Sequence, residues 1–140
     1  MNQNHSKIFK FLIAMLLVTG FDVTYSQGIL LKNEIRNGKK YRYSITLEQL
    51  KASKGWSPDK SLPVDIGSVS NVVLDFFNKT SDKPREIIEI TIGSVFITPF
   101  GRLWYFYVTT APVGAAFSGD NDQLSLIVLF DKKIVCPKLE

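Results

Sequence analysis

This 140-residue sequence offers few side chains for nucleophilic or acid–base catalysis, because it contains one histidine and one cysteine. The histidine, His5, lies in the first 26 residues, which the pattern of the N-terminus predicts to be removed, so we expect no histidine-dependent triad or histidine metal site in the mature chain. With Cys136 as the single cysteine, an intramolecular disulfide is impossible. Cys136 ends an apolar segment before Pro137, which favours a buried structural thiol, with an intermolecular bridge as a minor alternative.

Paired carboxylates are a second source of chemistry, since two of them can hydrolyse glycosides or bind calcium. The closest pair is Asp120 and Asp122. The surrounding segment lacks the glycine and distal glutamate of an EF-hand loop, and its residues are those that a chain reversal requires. We therefore favour a turn and predict no metal and no cofactor. Glu86 and Glu89 are expected on opposite faces of a strand, where they could not converge on one substrate.

A long link separates the two strongest predicted strands. It runs from Ala111 to Asp122 and has 12 residues, whereas a hairpin needs about two to five. Long loops on rigid sheets often bind partners, and Phe117, the one large side chain among small residues, could be an anchor. The alternative is that Phe117 folds back into the core. The candidate partner-binding residues are Pro112, Val113, Phe117, Asp120 and Asp122.

The N-terminus has the pattern of a secretory signal peptide. Lys7 and Lys10 precede an apolar run over residues 11–18, and cleavage between Ser26 and Gln27 would leave 114 residues. The alternative is an uncleaved membrane anchor, but the uncharged stretch covers 11 residues, and a spanning helix needs about 20. We predict an exported protein, periplasmic or extracellular, without a membrane span after cleavage.

The charge pattern does not favour a nucleic-acid partner. The whole chain carries a net charge of +4, and removal of the predicted signal peptide leaves +3. Basic residues alternate with aromatic residues between Lys32 and Arg42, a pattern that nucleic-acid-binding surfaces share. However, the alternation from Lys40 to Leu47 places Tyr41, Tyr43, Ile45 and Leu47 on one strand face and the charges on the solvent face. We therefore interpret this segment as a strand of the core.

The first half of the mature chain predicts a hairpin and two helices. The strand-like segments 29–36 and 39–47 flank Asn37-Gly38, a pair that tolerates the positive φ angles of a type I′ turn. Thr46 and Gln49 have the spacing of a capping box at the start of a short helix. A longer helix is expected from Asp65 to about Asn78. Its apolar stripe consists of Ile66, Val69, Val72, Val73, Phe76 and Phe77.

The second half predicts strands. Residues 86–97 form a β-branched run, in which Gly93-Ser94 suggests a bulge or a bend. Residues 102–110 are bulky on both faces, which is typical of a central strand covered on both sides. Residues 124–130 and 134–136 follow as further strands. We predict a single α+β domain over residues 27–140: an antiparallel β-meander with one main amphipathic helix packed on one face in two layers, preceded by an N-terminal β-hairpin.

Over roughly residues 56–140 the chain resembles PepSY-like exported α+β modules. The resemblance rests on Pro63 before a helix, Ile87 to Ile92 as a first strand, Trp104-Tyr105 as paired aromatics of the second, and Val128 to Lys132 as a third strand entering its turn. Modules of this kind are associated with exported peptidases and the cell envelope. The resemblance implies an inhibitory or binding role.

Three functional hypotheses follow. The leading one is an exported, non-enzymatic binding or inhibitory module of the cell envelope that acts on a peptidase or another hydrolase, with a protein as its partner. The alternatives are a small carboxylate-dependent hydrolase, which would use Asp120, Asp122 or glutamates, and an envelope scaffold without a discrete ligand. The sequence does not predict the oligomeric state.

Overall fold

A computed structural model describes residues 28–53, 55–115 and 122–140. Over these ranges the chain is a mixed α+β fold in which strands predominate, with two antiparallel sheets and two helices. The predicted signal peptide lies outside the described residues, and no helix within them is long and apolar enough to cross a membrane. The elements are β1 (Ile29–Arg36), β2 (Lys39–Ile45), α1 (Leu47–Ala52), α2 (Ile66–Thr80), β3 (Arg85–Ile97), β4 (Gly101–Pro112), β5 (Leu124–Leu129), β6 (Ile134–Val135) and β7 (Lys138–Leu139).

The N-terminal hairpin is formed by β1 and β2. Arg36 pairs with Lys39, so the turn has two residues, and both have positive φ angles, 51° at Asn37 and 72° at Gly38. A type I′ turn requires this left-handed geometry, which asparagine and glycine adopt at low steric cost. β7 pairs with the other side of β2 and completes a three-stranded sheet in the order β1-β2-β7.

Both helices begin at a side-chain cap. At α1 the Gln49 amide donates to Thr46 Oγ1 at 3.2 Å, and the Thr46 amide donates to Gln49 Oε1 at 2.9 Å, which completes the predicted capping box. At α2 the Ser68 amide donates to Asp65 Oδ1 at 2.8 Å. These bonds satisfy amide groups that have no partner within the first helical turn.

The apolar stripe of α2 is narrower than the sequence predicts. Val69, Val73 and Phe77 are buried at intervals of one helical turn, while Phe76 is half-buried. Ile66 is 43% exposed and does not belong to the buried face.

The main sheet has four strands in the described residues, in the order β3-β4-β5-β6. β4 lies at its centre and is covered on both faces. Its residues Phe106 and Val108 pack with α2, and Leu103 and Tyr105 pack with the hairpin sheet. The described residues thus form three layers, helix, sheet and hairpin sheet, rather than the predicted two. The hairpin folds back because the second apolar face of β4 needs a cover.

β3 differs from its predicted form. It runs through Gly93 without a break, and its bulge lies between Ile87 and Glu89. A side chain at position 93 would put its Cβ 2.6 Å from Cε2 of Tyr105, so the glycine makes room for that ring. The bulge also shifts the register: Glu86 pairs with Ala111 and Glu89 with Thr109. Positions 109 and 111 share one face of β4, so the two glutamates share a face, and the prediction of opposite faces was wrong.

Candidate functional site

The described ends of the long link lie side by side at the start of β3. We call these ends the loop stem, with residues 112–115 as its first limb and residues 122–123 as its second limb. Pro112 is half-buried at the end of β4, Val113 is 59% exposed, and Asp122 is half-buried. The other two candidate residues, Phe117 and Asp120, lie outside the described residues. The structure therefore brings three of the five candidate residues together.

Arg85 joins the two ends of the stem. It pairs with Pro112 across the sheet, and its Nη2 donates to the carbonyl oxygen of Asp122 at 2.6 Å. Its other bonds go to Thr110, from Nε to Oγ1 at 3.0 Å and from Nη2 to the carbonyl oxygen at 3.2 Å. The guanidinium lies 5.2 Å from the ring centroid of Phe77. Arg85 therefore connects β3 with β4 and with the second limb of the stem, and its guanidinium is held by these hydrogen bonds and by the ring of Phe77 in α2.

The charged side chain of Arg85 is largely shielded from solvent. Only 7% of the residue is exposed. Burial lowers the pKa of Arg85, and the negative charge of Asp122 opposes this shift. Because an arginine ordinarily titrates far above physiological pH, the guanidinium stays positive there and keeps its three hydrogen bonds.

The first limb of the stem is fixed through two of its backbone amides. The Val113 amide donates to the carbonyl oxygen of Pro84 at 3.0 Å, and the Gly114 amide donates to Glu86 Oε1 at 3.0 Å. Gly114 has a φ of 80°, a left-handed angle at which glycine avoids strain. The carboxylate of Glu86 thus holds the backbone in place, and the exposed Val113 side chain stands on a fixed base.

The second limb is fixed by Arg36, at the end of β1. Its Nη1 donates to the carbonyl oxygen of Gln123, and its Nη2 donates to Ser125 Oγ at 2.9 Å and to Glu34 Oε1 at 2.8 Å. The hairpin sheet therefore contacts the loop stem directly. Both carbonyl groups of this limb accept a hydrogen bond from an arginine, Asp122 from Arg85 and Gln123 from Arg36.

Glu34 is the centre of a polar network between the two sheets. Its Oε2 accepts hydrogen bonds from the hydroxyl of Tyr43 at 3.0 Å and from the hydroxyl of Tyr107 at 2.7 Å. The ammonium of Lys32 lies 3.3 Å from the ring centroid of Tyr107. No buried side-chain nitrogen or oxygen among the described residues lacks a partner. The network therefore stabilises the interface between the layers.

The ionisation of this network follows from its contacts. Burial alone would raise the pKa of Glu34, but its three hydrogen bonds and the charge of Arg36 outweigh burial and hold the pKa below its ordinary value. Burial and the nearby negative charge raise the pKa of Tyr43, and burial is the larger cause. Glu34 is thus a carboxylate at neutral pH, and Tyr43 keeps the proton that it donates.

The sequence interpretation did not identify this network, although a signal was present. Lys32, Glu34 and Arg36 are spaced by two, which places them on one face of β1. That face points toward the main sheet, whereas Ile35 on the other face is 76% exposed. In the second half of β1, the charged side chains therefore face the main sheet and the apolar Ile35 faces solvent, which is the reverse of the usual pattern.

An apolar groove of about 280 Å³ lies next to the second limb. It begins at Leu124, directly after the stem, and runs between β5 and the end of α2. Cys136 lies at its border and is exposed, so the predicted burial of this thiol was wrong. The apolar strand ends at Val135, one residue earlier. Partial burial still raises the pKa of the Cys136 thiol. The groove is lined by Phe76, Phe77, Thr80, Ser81, Leu124, Ser125, Leu126, Cys136 and Pro137.

Within the described ranges, no group of three or more histidine, cysteine, aspartate or glutamate side chains could hold a metal ion. Comparisons with protein-family models, with curated proteins and with solved structures found no significant match. The geometry of the stem and the groove therefore carries the functional argument.

Proposed function

We propose that this protein is an exported, non-enzymatic binding module of the cell envelope that holds a partner protein at the loop stem and the adjoining apolar groove. The observation that carries the proposal is the fixation of the stem by two arginines, Arg85 from β3 and Arg36 from β1. A base that is ordered before binding loses little conformational entropy when a partner docks.

The exposed side chains of this region are apolar. Val113 is 59% exposed on the first limb, and Leu124 is 39% exposed where the second limb enters β5. We group these two side chains with the groove as one candidate binding surface, which we call the stem surface. Apolar side chains at the centre of an interface provide most of its binding energy.

The size of the groove favours a side chain as its occupant. Sites for small molecules and cofactors usually measure about 300–1,000 Å³, and this groove, at about 280 Å³, is open and slightly smaller. A large apolar side chain from a protein partner fits such a space. The resemblance to PepSY-like modules suggests the kind of partner, an exported peptidase or another hydrolase that the module binds or inhibits.

Site-specific photo-crosslinking tests the proposal. A photoreactive amino acid replaces Val113 in one full-length variant and Ile35, which is exposed on β1, in a matched control. In cells of the source organism, the Val113 probe should crosslink one protein of the envelope, and the Ile35 probe should not. Equal crosslinking at both positions, or none at Val113, would refute a binding role for the stem surface.

A second measurement separates export from binding. N-terminal sequencing of the mature protein should begin at or near Gln27. An intact Met1 in a membrane fraction would contradict the cleaved signal peptide but would leave the stem surface as a candidate site.

A further inference from the structure

The edges of the two sheets are protected unequally. Four strands lie at edges among the described residues, β1 and β7 in one sheet and β3 and β6 in the other. β6 and β7 have two residues each and offer little backbone for pairing. β1 has an irregular register between Leu30 and Lys32 and carries inward-facing charges. Bulges, short strands and inward charges are devices that prevent pairing with other chains.

β3 has such protection in its first half only. The bulge between Ile87 and Glu89 and the charged residues of the strand all lie before Ile90. From Ile90 to Ile97 the strand has no charge, no proline and no bulge. Its outer side pairs with no strand in the described part of the chain. This segment therefore presents backbone donors and acceptors that are suited to strand addition.

Large apolar side chains are exposed on the same segment. Ile92 is 42% exposed and Phe96 is 66% exposed, and both pair with β4 positions, Phe106 and Arg102, that share one face of the sheet. An unpaired edge with exposed apolar side chains is a surface that binding normally covers. We propose that a second copy of this chain covers it, through antiparallel pairing of residues 91–97 with the same residues of the other copy.

The strand is complementary to itself in this arrangement. With a two-fold axis at Ser94, Ile92 of each copy lies opposite Phe96 of the other. The dimer therefore contains two Ile92–Phe96 pairs, in which each exposed side chain is covered by its partner. Glu86 and Glu89 lie beyond the paired segment, so their carboxylates do not face each other across the contact. A two-fold contact of this kind closes as a dimer, and the main sheets of the two copies become one eight-stranded sheet.

The dimer leaves both stem surfaces accessible. Arg85 lies nine residues before Ser94, which corresponds to about 30 Å of strand. The stems therefore lie at opposite ends of the joined sheet, about 60 Å apart. This inference is independent of the proposed partner, because it uses the other end of β3.

Sedimentation velocity of the full chain under reducing conditions tests the dimer. Ile92→Lys and Phe96→Lys place charges in the paired segment, and Ile35→Lys is the matched control on the edge of the other sheet. We expect a concentration-dependent dimer whose dissociation constant rises at least about tenfold in each β3 variant and stays unchanged in the control. A monomer at concentrations up to about 1 mM, or equal weakening by Ile35→Lys, would overturn the proposal. Pairing through the N-terminal residues would also overturn it, since it would be insensitive to all three variants.

A disulfide test covers the case in which a lysine variant fails to fold. In a Cys136→Ser background, Ser94→Cys should form a disulfide-linked dimer on mild oxidation, because directly opposed residues of antiparallel strands bring their Cα atoms within disulfide range. Ile35→Cys in the same background should stay monomeric. The absence of a linked dimer with Ser94→Cys, or linkage at both positions, would show that the two β3 edges do not meet about Ser94.

Discussion

Removal of the negative charge at Glu34 should destabilise the protein in a pH-dependent way. The substitution Glu34→Gln keeps the shape of the side chain but replaces one carboxylate oxygen by an NH₂ group. The carboxylate accepts three hydrogen bonds, one from Arg36 and two from tyrosine hydroxyls. The glutamine amide can present its oxygen either to Arg36 or to the two tyrosine hydroxyls. The other partner then faces the NH₂ group, which is a donor and cannot accept its hydrogen bond.

The size of the effect follows from these contacts. A hydrogen bond to a charged group contributes about 1.5–3 kcal/mol, and a neutral one about 0.5–1.5 kcal/mol. Weakening or losing three bonds would exceed about 3 kcal/mol, but glutamine is easier to bury, and the bonds of Arg36 to Gln123 and Ser125 are weakened rather than lost. We therefore expect a loss of about 2–3 kcal/mol in the free energy of unfolding at pH 7.

The pH dependence follows from the lowered pKa of Glu34. In the unfolded chain this carboxyl takes up a proton near its ordinary pKa of 4.5, and in the folded protein it does so at a lower pH. The contribution of Glu34 is therefore complete above the unfolded value and declines as the pH falls through the folded value. The difference in stability between wild type and Glu34→Gln should be largest near neutral pH and shrink below about pH 4.5.

Urea unfolding of both proteins at pH 7 and at several values below pH 4.5 measures this difference. Asp75→Asn is the matched control, because Asp75 is exposed on α2 and undergoes the same change from carboxylate to amide. Tyr107→Phe adds a second test, since a double-mutant cycle with Glu34→Gln should give a coupling of about 1 kcal/mol. A loss below about 0.5 kcal/mol, or one that does not change with pH, would refute the assignment of Glu34 as a charged centre of the interface.

Three further outcomes are expected. Phe77→Ala should cost about 3–5 kcal/mol in the free energy of unfolding, and Phe76→Ala less than half as much, because Phe77 is buried and Phe76 is half-buried. Similar losses for both variants in urea unfolding would contradict the assignment of Phe77 to the buried face of α2. Gly93→Ala should cost about 1–3 kcal/mol, because the new Cβ would lie 2.6 Å from the ring of Tyr105, and an unchanged unfolding midpoint would show that the ring moves freely. Cys136 should react with a thiol reagent in the folded protein because it is exposed, and it should react more slowly than free cysteine because its pKa is raised. Mass spectrometry measures the extent of reaction, and a reaction that occurs only after unfolding would place Cys136 in the core.

Local signals predicted the local structure. Asn37-Gly38 forms the two-residue turn, and Thr46 with Gln49 forms the capping box, because each depends on residues that are neighbours in the chain. The spacing of Val69, Val73 and Phe77 predicted the buried side of α2 for the same reason. Turn angles and caps are decided within a few residues, so a single sequence is sufficient to find them.

The features that depend on distant residues could not be predicted in this way. The position of the β3 bulge follows from pairing with β4, and the need for Gly93 follows from Tyr105, which is 12 residues later in the sequence. The hydrogen bonds from Arg36 to residues of β5 and its preceding limb span more than 80 positions. The two-residue spacing of Lys32, Glu34 and Arg36 indicated a common face. It did not indicate which side of the hairpin would meet the main sheet.

Arg36 belongs to both the interlayer network and the loop stem, and this double role connects stability with binding. It donates to Glu34 between the sheets and to Gln123 at the stem, so any change that separates the hairpin sheet from β5 also releases Gln123 of the second limb. Arg85 holds Asp122, the other residue of this limb, and its remaining partners, Thr110 and Phe77, lie in β4 and α2. A loss of the Glu34 charge should therefore loosen the second limb while the first limb keeps its bonds to Glu86 and Pro84. If the stem surface binds a partner, Glu34→Gln should weaken binding even where the protein remains folded, because the docking surface is then no longer ordered in advance.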